Sequence, residues 1–465
     1  MIKNIELEKG AYQFDAKMPL RQAIPLGLQH VFAMFVGNLT PLLIITSACG
    51  LAGGEFADLQ VSLLQNAMFV AGVVTLVQLF SIGPVGGQVP IIMGTSSGFL
   101  GVFNSVAASM GGGVLAYGAI MGASIIGGIF ESVLGFFLKP LRKFFPPVVT
   151  GPIIVAIGLG LAGSAVDNCK TNWPVALIAL AIIIVFNVWG RGMAKIIPIL
   201  LGVLGSYIFA LIVDPAERAS VAAAVSSAKW FGLPIFWKNS VFHLFAGPVD
   251  SGVLWSAVLT VVPLSLATMV EHIGDICAIS STCGKNFMVD PGFHRTLLGD
   301  GLATTLASLF GAPANTTYGE NTGVLALSRV YDPRVIRLAA LYAIILSFSP
   351  KFDALVNSIP TAIVGGVSFV LYGMISAVGV RNVVENRVDL TKSRNLIIAA
   401  VIFVCGLGFA STGGITFTVG SADITLTGLA IAALAGVILN AVLPGNDYEF
   451  GKSVEGDASA DLGSY

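Results

Sequence analysis

The sequence predicts an all-α polytopic membrane protein of about 14 transmembrane segments, a 7+7 inverted repeat with short extended (β) pieces in segments 3 and 10. Three observations carry this. Of 465 residues, 55% are hydrophobic and 11% are charged, whereas soluble domains carry about 25% charged residues. About 14 stretches approach the roughly 20 apolar residues that cross a bilayer core, some short or broken by glycine. Lysine and arginine collect in alternate connections between those stretches.

The elements follow in order. The first 20 residues are polar and hold no apolar run, so they read as a tail rather than a signal peptide. Spans are expected at 24–48, 61–83, 88–107, 114–138, 146–165, 172–190 and 196–213. A polar loop, 214–251, precedes a second set at 252–278, 296–310, 311–328, 335–350, 358–378, 395–411 and 424–443. The chain from Asn446 is polar and reads as disordered. With the N-terminus inside, the inner loops hold 14 of the 24 basic residues, the outer loops five, and the two tails the remaining five. That asymmetry fits both the count and a cytoplasmic placement of both termini in a plasma (inner) membrane. A net charge of −1 gives no nucleic-acid footprint. The five cysteines are scattered, with no disulfide or metal spacing, and read as small apolar residues.

The halves resemble one another. FPPVVTGPIIVAIG (145–158) and IPTAIVGGVSFVLY (359–372) place Pro146/Pro360 and Gly151/Gly365 at equal offsets, and IPLGL (24–28) resembles VPLSL (262–266). Seven is odd, so equivalent halves lie in the membrane with opposite topology, as in many secondary transporters. QVPIIMGTSSGFLGVF in the third span and FGAPANTTYGENTGVLALSR in the tenth hold equivalent places. Each has a proline, a short extended piece, glycine with small polar residues, then a helical run. Interrupted segments at matching positions point to a transporter's site. Extended backbone at membrane depth must be paired, so the two pieces are expected to pair with each other. The helices behind them then aim positive N-terminal ends at one point.

Three acids lie in this apolar setting: Glu271 and Asp275 in TMVEHIGD, one helical turn apart, and Glu320. Intramembrane acids face cavities and tend to be functional, the alternative being an acid paired to a neighbouring span. Glu131 in IFESVLG reads as structural, and His30 and His272 as hydrogen-bonded packing residues. No basic residue lies mid-span, so a strongly anionic substrate is disfavoured. Carboxylates at broken helices suit a cation or a neutral ligand with N–H donors. A desolvated carboxylate also holds its proton more tightly, which allows proton coupling through Glu271, Asp275 and Glu320. GLGLAG (158–163) matches GxGxxG without a strand–turn context, so close helix packing is expected there. The sequons at Asn38 and Asn315 fall within spans and are discounted.

GENTGVLALSR, with Glu320, Asn321, Gly323, Ser328 and Arg329, resembles the signature of the nucleobase–ascorbate transporters. LQHVFAMF and EHIGD also match that family, and DPGFHR (290–295) and GGVSFVLYG (365–373) resemble its uracil permeases. The similarity runs from about residue 20 to 443.

The resemblance implies a non-enzymatic permease that imports a nucleobase, uracil first, by proton symport, with sodium as the alternative ion and no cofactor or metal. Xanthine or urate is the alternative substrate, and an anion exchanger on the same fold or a non-transporting receptor are the competing classes. It implies tails at 1–20 and 446–465, a core domain from 21–138 and 252–350, and a gate domain from 139–251 and 351–445 that mediates a homodimer. Glu271 and Glu320 would hold the base, assisted by backbone amides near Ser97 and at Gly319. Gly37 and Tyr318 would line the pocket, and Ser368 and Tyr372 would close it from the gate side. The third span reads Ser-Ser-Gly-Phe rather than Ser-Ser-Phe, so either Ser97 or Phe99 takes the family's pocket position. Asp275 stands where uracil permeases carry His and resembles purine carriers, whereas Glu320 resembles uracil carriers. Uracil offers N–H donors beside C=O acceptors, and a carboxylate accepting from N–H forms a strong, charge-assisted bond.

Overall fold

The computed structural model describes residues 18–446 apart from 52–55, 138–143, 192–193, 195–197, 235–240, 242–250, 284, 286, 329, 420–421 and 427. Most of both expected tails lies outside the described residues. Helices α1 (Leu20–Ala48) and α2 (Ala57–Phe80) lead to strand β1 (Met93–Thr95), then α3 (Leu100–Ser109) and α4 (Gly113–Phe136). Next come α5 (Pro147–Gly160), α6 (Ala162–Lys170), α7 (Trp173–Trp189), α8 (Pro198–Val213) and α9 (Pro215–Ser227). The second half has α10 (Ser251–Val261), α11 (Ser265–Cys283), α12 (Phe293–Leu309), β2 (Asn315–Thr317), α13 (Gly319–Ser328), α14 (Pro333–Leu346) and α15 (Pro350–Asn357). It ends with α16 (Thr361–Glu385), α17 (Ser393–Thr412), strands β3 (Ile415–Val419) and β4 (Ala422–Leu426), and α18 (Gly428–Val442).

Local chemistry sets many of these starts. Helices α5, α7, α9, α14 and α15 carry proline in the first turn, where its missing N–H costs nothing. Asn172, Asp214, Asp332 and Ser349 cap four of them by accepting from backbone N–H groups. Among the described residues five helices are by themselves long and apolar enough to cross a membrane: Asp58–Phe80, Gly113–Phe136, Pro147–Lys170, Thr361–Glu385 and Ser393–Thr412. A sixth arises if α14 and α15, bent by 89°, count as one.

The fold departs from the expected one at three places. The loop 214–251 begins with helix α9, because Asp214-Pro215 is a cap and start signal ahead of an alanine-rich run. The amine of Lys351 satisfies carbonyls at its far end, donating to Val225 O (2.8 Å) and Ala228 O (3.0 Å). The span expected at 424–443 starts instead with β4, which pairs antiparallel with β3 from Ile415↔Leu426 to Val419↔Ala422. Alternating Thr and β-branched residues in ITFTV and ADITL account for this second hairpin. The span expected at 252–278 is broken by a 3-10 turn at Val262–Leu264, where Pro263 interrupts the ladder, and it runs on to Cys283.

Glycine sets how closely helices approach. Helices α4 and α12 touch at Gly128 and Gly301, where a Cβ on either would lie 2.5 Å from the other's carbonyl oxygen. In GLGLAG, a Cβ on Gly158 would overlap the Tyr372 carbonyl and the Ser376 hydroxyl of α16, so helix packing governs that position. A Cβ on Gly163 of the same motif would meet nothing within 4 Å among the described residues. Small residues at such crossings are the usual membrane solution.

Gly128→Val is expected to disrupt the α4–α12 contact, at an overpacking cost of about 1–3 kcal/mol. It should lower the melting temperature of the purified protein and its monodisperse yield, while Gly163→Ala leaves both unchanged. Equal melting curves for the two variants would refute this packing argument.

Candidate substrate site

The site grows from the pairing of the two short strands. β1 and β2 are antiparallel, with Met93↔Thr317, Gly94↔Thr316 and Thr95↔Asn315 in register, and every one of these residues is buried. The ladder extends by Ser96 N–H to Ala314 O (2.8 Å) and Tyr318 N–H to Ile92 O (2.9 Å). Three residues isolated in sequence brace it. The Thr75 hydroxyl of α2 accepts from Met93 N–H (2.9 Å). The Thr304 hydroxyl of α12 accepts from Asn315 N–H (3.2 Å) and donates to Asn315 O (2.6 Å). The Asn38 amide oxygen of α1 accepts from Thr95 N–H (2.8 Å) and its hydroxyl (3.1 Å). Asn38 and Asn315, the sequon asparagines, are thus internal.

Tyr318 locks the pair. Its hydroxyl donates to Thr95 O (2.9 Å). Its ring covers Gly94, where a Cβ would overlap it, and lies 3.4 Å from where a Cβ on Gly37 would stand. The family resemblance implies that Gly37 and Tyr318 line the pocket; the structure places them side by side and shows the phenol engaged by the strand backbone.

The two strands run opposite ways, so α3 and α13 start from this centre and leave it in opposite directions. Helix α11 crosses beside both starts. Glu271, half-buried, brings Oε2 to 3.5 Å from where a Cβ on Gly98 would stand, next to Ser97 and the first turn of α3. Asp275, buried one turn further along, brings Oδ1 to 2.8 Å from the corresponding point on Gly319, the first residue of α13. Each acid therefore meets the positive end of one broken helix, and glycine at each start leaves room for the carboxylate. The side chain of Glu320 lies outside the described residues. Of the two third-span alternatives, Ser97 is half-buried beside the acids. Phe99 is fully buried and stacked on Phe103, ring centroids 5.4 Å apart. Ser368 and Tyr372 are both buried on α16, which contacts α11 and α13.

Behind β2 lies a cluster that the sequence analysis did not assemble. His272 Nδ1 is 2.8 Å from the Thr317 hydroxyl and 3.3 Å from Asp300 Oδ1, and the Thr317 hydroxyl is 3.3 Å from the same Asp300 oxygen. His272 and Asp300 are both fully buried. Asp300, in LLGDGLATT, carries the signal that marks Glu271, an acid inside an apolar helix. His30 is also bound internally, its carbonyl accepting from the Asn321 amide (3.2 Å). Glu131 is buried, and its carboxylate accepts from the Thr268 hydroxyl at 3.5 Å.

Paired broken helices meeting inside a bundle of apolar helices define a membrane transporter fold, and a solved structure of that class shares it. The transmembrane domain of the cyanobacterium bicarbonate transporter BicA aligns with a TM-score of 0.54 at 16% identity, over 85% of this chain and 98% of that one. Sequence relationship is closer elsewhere. The uracil permease of Bacillus caldolyticus is 38% identical over 454 residues, covering 94% of this chain and 96% of the relative. That of Bacillus subtilis (strain 168) is 36% identical over 434 residues, covering 90% and 92%. A family model described as the permease family matches residues 21–415. The chain belongs to this family, the nucleobase–ascorbate transporters, whose members are permeases and not enzymes.

Asn38→Ala leaves a buried Thr95 N–H without its acceptor and is expected to cost about 1–3 kcal/mol. Thr304→Val should do the same at β2. Both are read as lowered melting temperatures of the purified protein, and an unchanged value for Asn38→Ala would refute the bracing role.

Proposed function

We propose that this chain is a proton-coupled nucleobase permease of the cell's inner membrane and that its principal substrate is uracil. The observation that carries the reading is the placement of Glu271 and Asp275, one at each broken-helix start. Such a site offers carboxylate acceptors and backbone N–H donors side by side. Uracil presents the complementary edge, N–H donors next to carbonyl acceptors. Glu271 accepts from the base N–H groups, and Glu320 joins it from the first turn of α13. Backbone amides near Ser97 and at Gly319 donate to the base carbonyls. Gly37 keeps a pocket wall thin beside Tyr318, and Ser368 and Tyr372 close the site from α16.

The names of the relatives support uracil. Asp275 favours xanthine or urate as the alternative, since purine carriers of the family resemble it there. Acids at both helix starts disfavour an anion as substrate.

Transport follows by alternating access. The 14-segment, 7+7 reading is supported by the matched braces Thr75 and Thr304, which hold equivalent strands from the second and ninth segments. In this reading core (segments 1–4 and 8–11) moves against gate (5–7 and 12–14), two gates form a homodimer, and both termini are cytoplasmic. Glu271, Asp275 and Glu320 take up a proton with the base and release both on the inner side, sodium being the alternative ion.

Glu271→Gln is expected to abolish accumulation of radiolabelled uracil while the protein still reaches the membrane. Normal uptake by that variant would overturn the assignment. In a thermal-shift panel of uracil, thymine, xanthine, urate, guanine and adenine, uracil should stabilise the purified protein most. A larger shift with xanthine would move the reading to the purine alternative.

A further inference from the structure

A cavity of about 660 Å3 lies beyond the broken-helix starts, at the end of the bundle opposite the loops richest in Lys and Arg. Ser47, at the end of α1, and Gln60, in the first turn of α2, contribute to one side together with Asn104 of α3. Asn168 of α6 and Thr361, the first residue of α16, contribute to the other. Leu43 and Val364 add apolar wall. Among the described residues, none that lines it is charged. The volume falls within the roughly 300–1,000 Å3 range of small-molecule sites.

Its place is fixed by two helices that also serve the substrate site. Asn104 lies one turn into α3, about 6 Å along the axis from Leu100, and Glu271 approaches Gly98 just ahead of that helix. Val364 lies one turn before Ser368 on the same face of α16. The cavity is therefore an antechamber about one helical turn above the site on either wall. The Gln60 amide is partly committed, donating to the Thr46 hydroxyl (3.0 Å). Asn104, by contrast, is exposed, and Asn168 is half-exposed. A carboxamide carries a donor and an acceptor in one plane, the pattern that pairs bidentately with the edge of a nucleic-acid base.

We propose that this antechamber is a second, weaker binding site for the free nucleobase, in which Asn104 and Asn168 hold the base edge from opposite walls before it reaches Glu271. The site rests on the nucleobase reading above. Uncharged amides and hydroxyls recognise a neutral heterocycle without the cost of stripping water from a charge, so the base is held loosely and passes on. Because Asn104 and Asn168 belong to segments proposed to move relative to one another, the antechamber exists only while they face each other in this arrangement.

Radiolabelled uracil uptake tests this with Asn104→Leu and Asn168→Leu. Losing one hydrogen bond to the incoming base should raise KM about three- to tenfold at a nearly unchanged maximal rate. Asn168→Gln, which keeps the amide, should retain a KM near that of the unaltered protein. An unchanged KM in both Leu variants, at normal membrane levels, overturns the antechamber. A second measurement is independent of insertion efficiency. Purified Glu271→Gln protein should still show weak, saturable uracil binding by saturation-transfer NMR, and no such binding overturns the proposal. A chain whose unaltered form takes up neither uracil nor xanthine would instead refute the nucleobase reading beneath it.

Discussion

The structure depends on one constraint: extended backbone inside a membrane protein must find every hydrogen bond within the protein. Two three-residue strands cannot sustain a sheet alone, and each unpaired N–H or C=O would cost several kcal/mol. Here the strands pair with each other, and Thr75, Asn38 and Thr304 hold their backbone from three different helices. Tyr318 adds a bond from its own strand's end to the facing carbonyl of Thr95. Each brace belongs to a helix that packs closely on a neighbour, so the strand pair is held in place although neither of its own segments is a continuous helix.

That bracing produces the electrostatics. Holding β1 against β2 fixes the starts of α3 and α13, and with them two sets of backbone N–H groups facing one region. Helix α11 then presents Glu271 and Asp275 at a spacing of one turn, matched to the separation of the two starts. On the far side of β2, Asp300 and His272 share the Thr317 hydroxyl, so the strand that shapes the site is itself tied to a buried acid–imidazole pair. A charge placed in so apolar an interior is tolerated only with such partners.

Glycine serves two separate ends here. At Gly128, Gly301 and Gly158 it lets helices touch backbone to backbone, which builds the frame. At Gly98 and Gly319 it leaves room for carboxylates beside helix starts, which builds the site. The GxGxxG in 158–163 belongs with the frame, and its last glycine contributes to neither.

The amino-acid sequence by itself determined the membrane class, because composition and apolar run length answer directly to the solvent. It also determined the two interrupted segments and their pairing, because proline and glycine leave backbone groups that only another extended piece could satisfy. Glu271 and Asp275 stood out for the same reason, as acids without water. Local signals for α9 and for the β3–β4 hairpin were present too, but a segmentation by apolar runs passes over a short capped helix and an alternating strand. What only the tertiary structure decided was which groups meet. Asn38, Thr75 and Thr304 are ordinary polar residues in sequence and become braces because helices distant along the chain bring them to one strand pair. Asp300 joins His272, and Asp275 reaches Gly319, through contacts spanning tens of residues. Periodicity and composition describe how each segment meets its solvent, whereas these pairings depend on how one segment meets another.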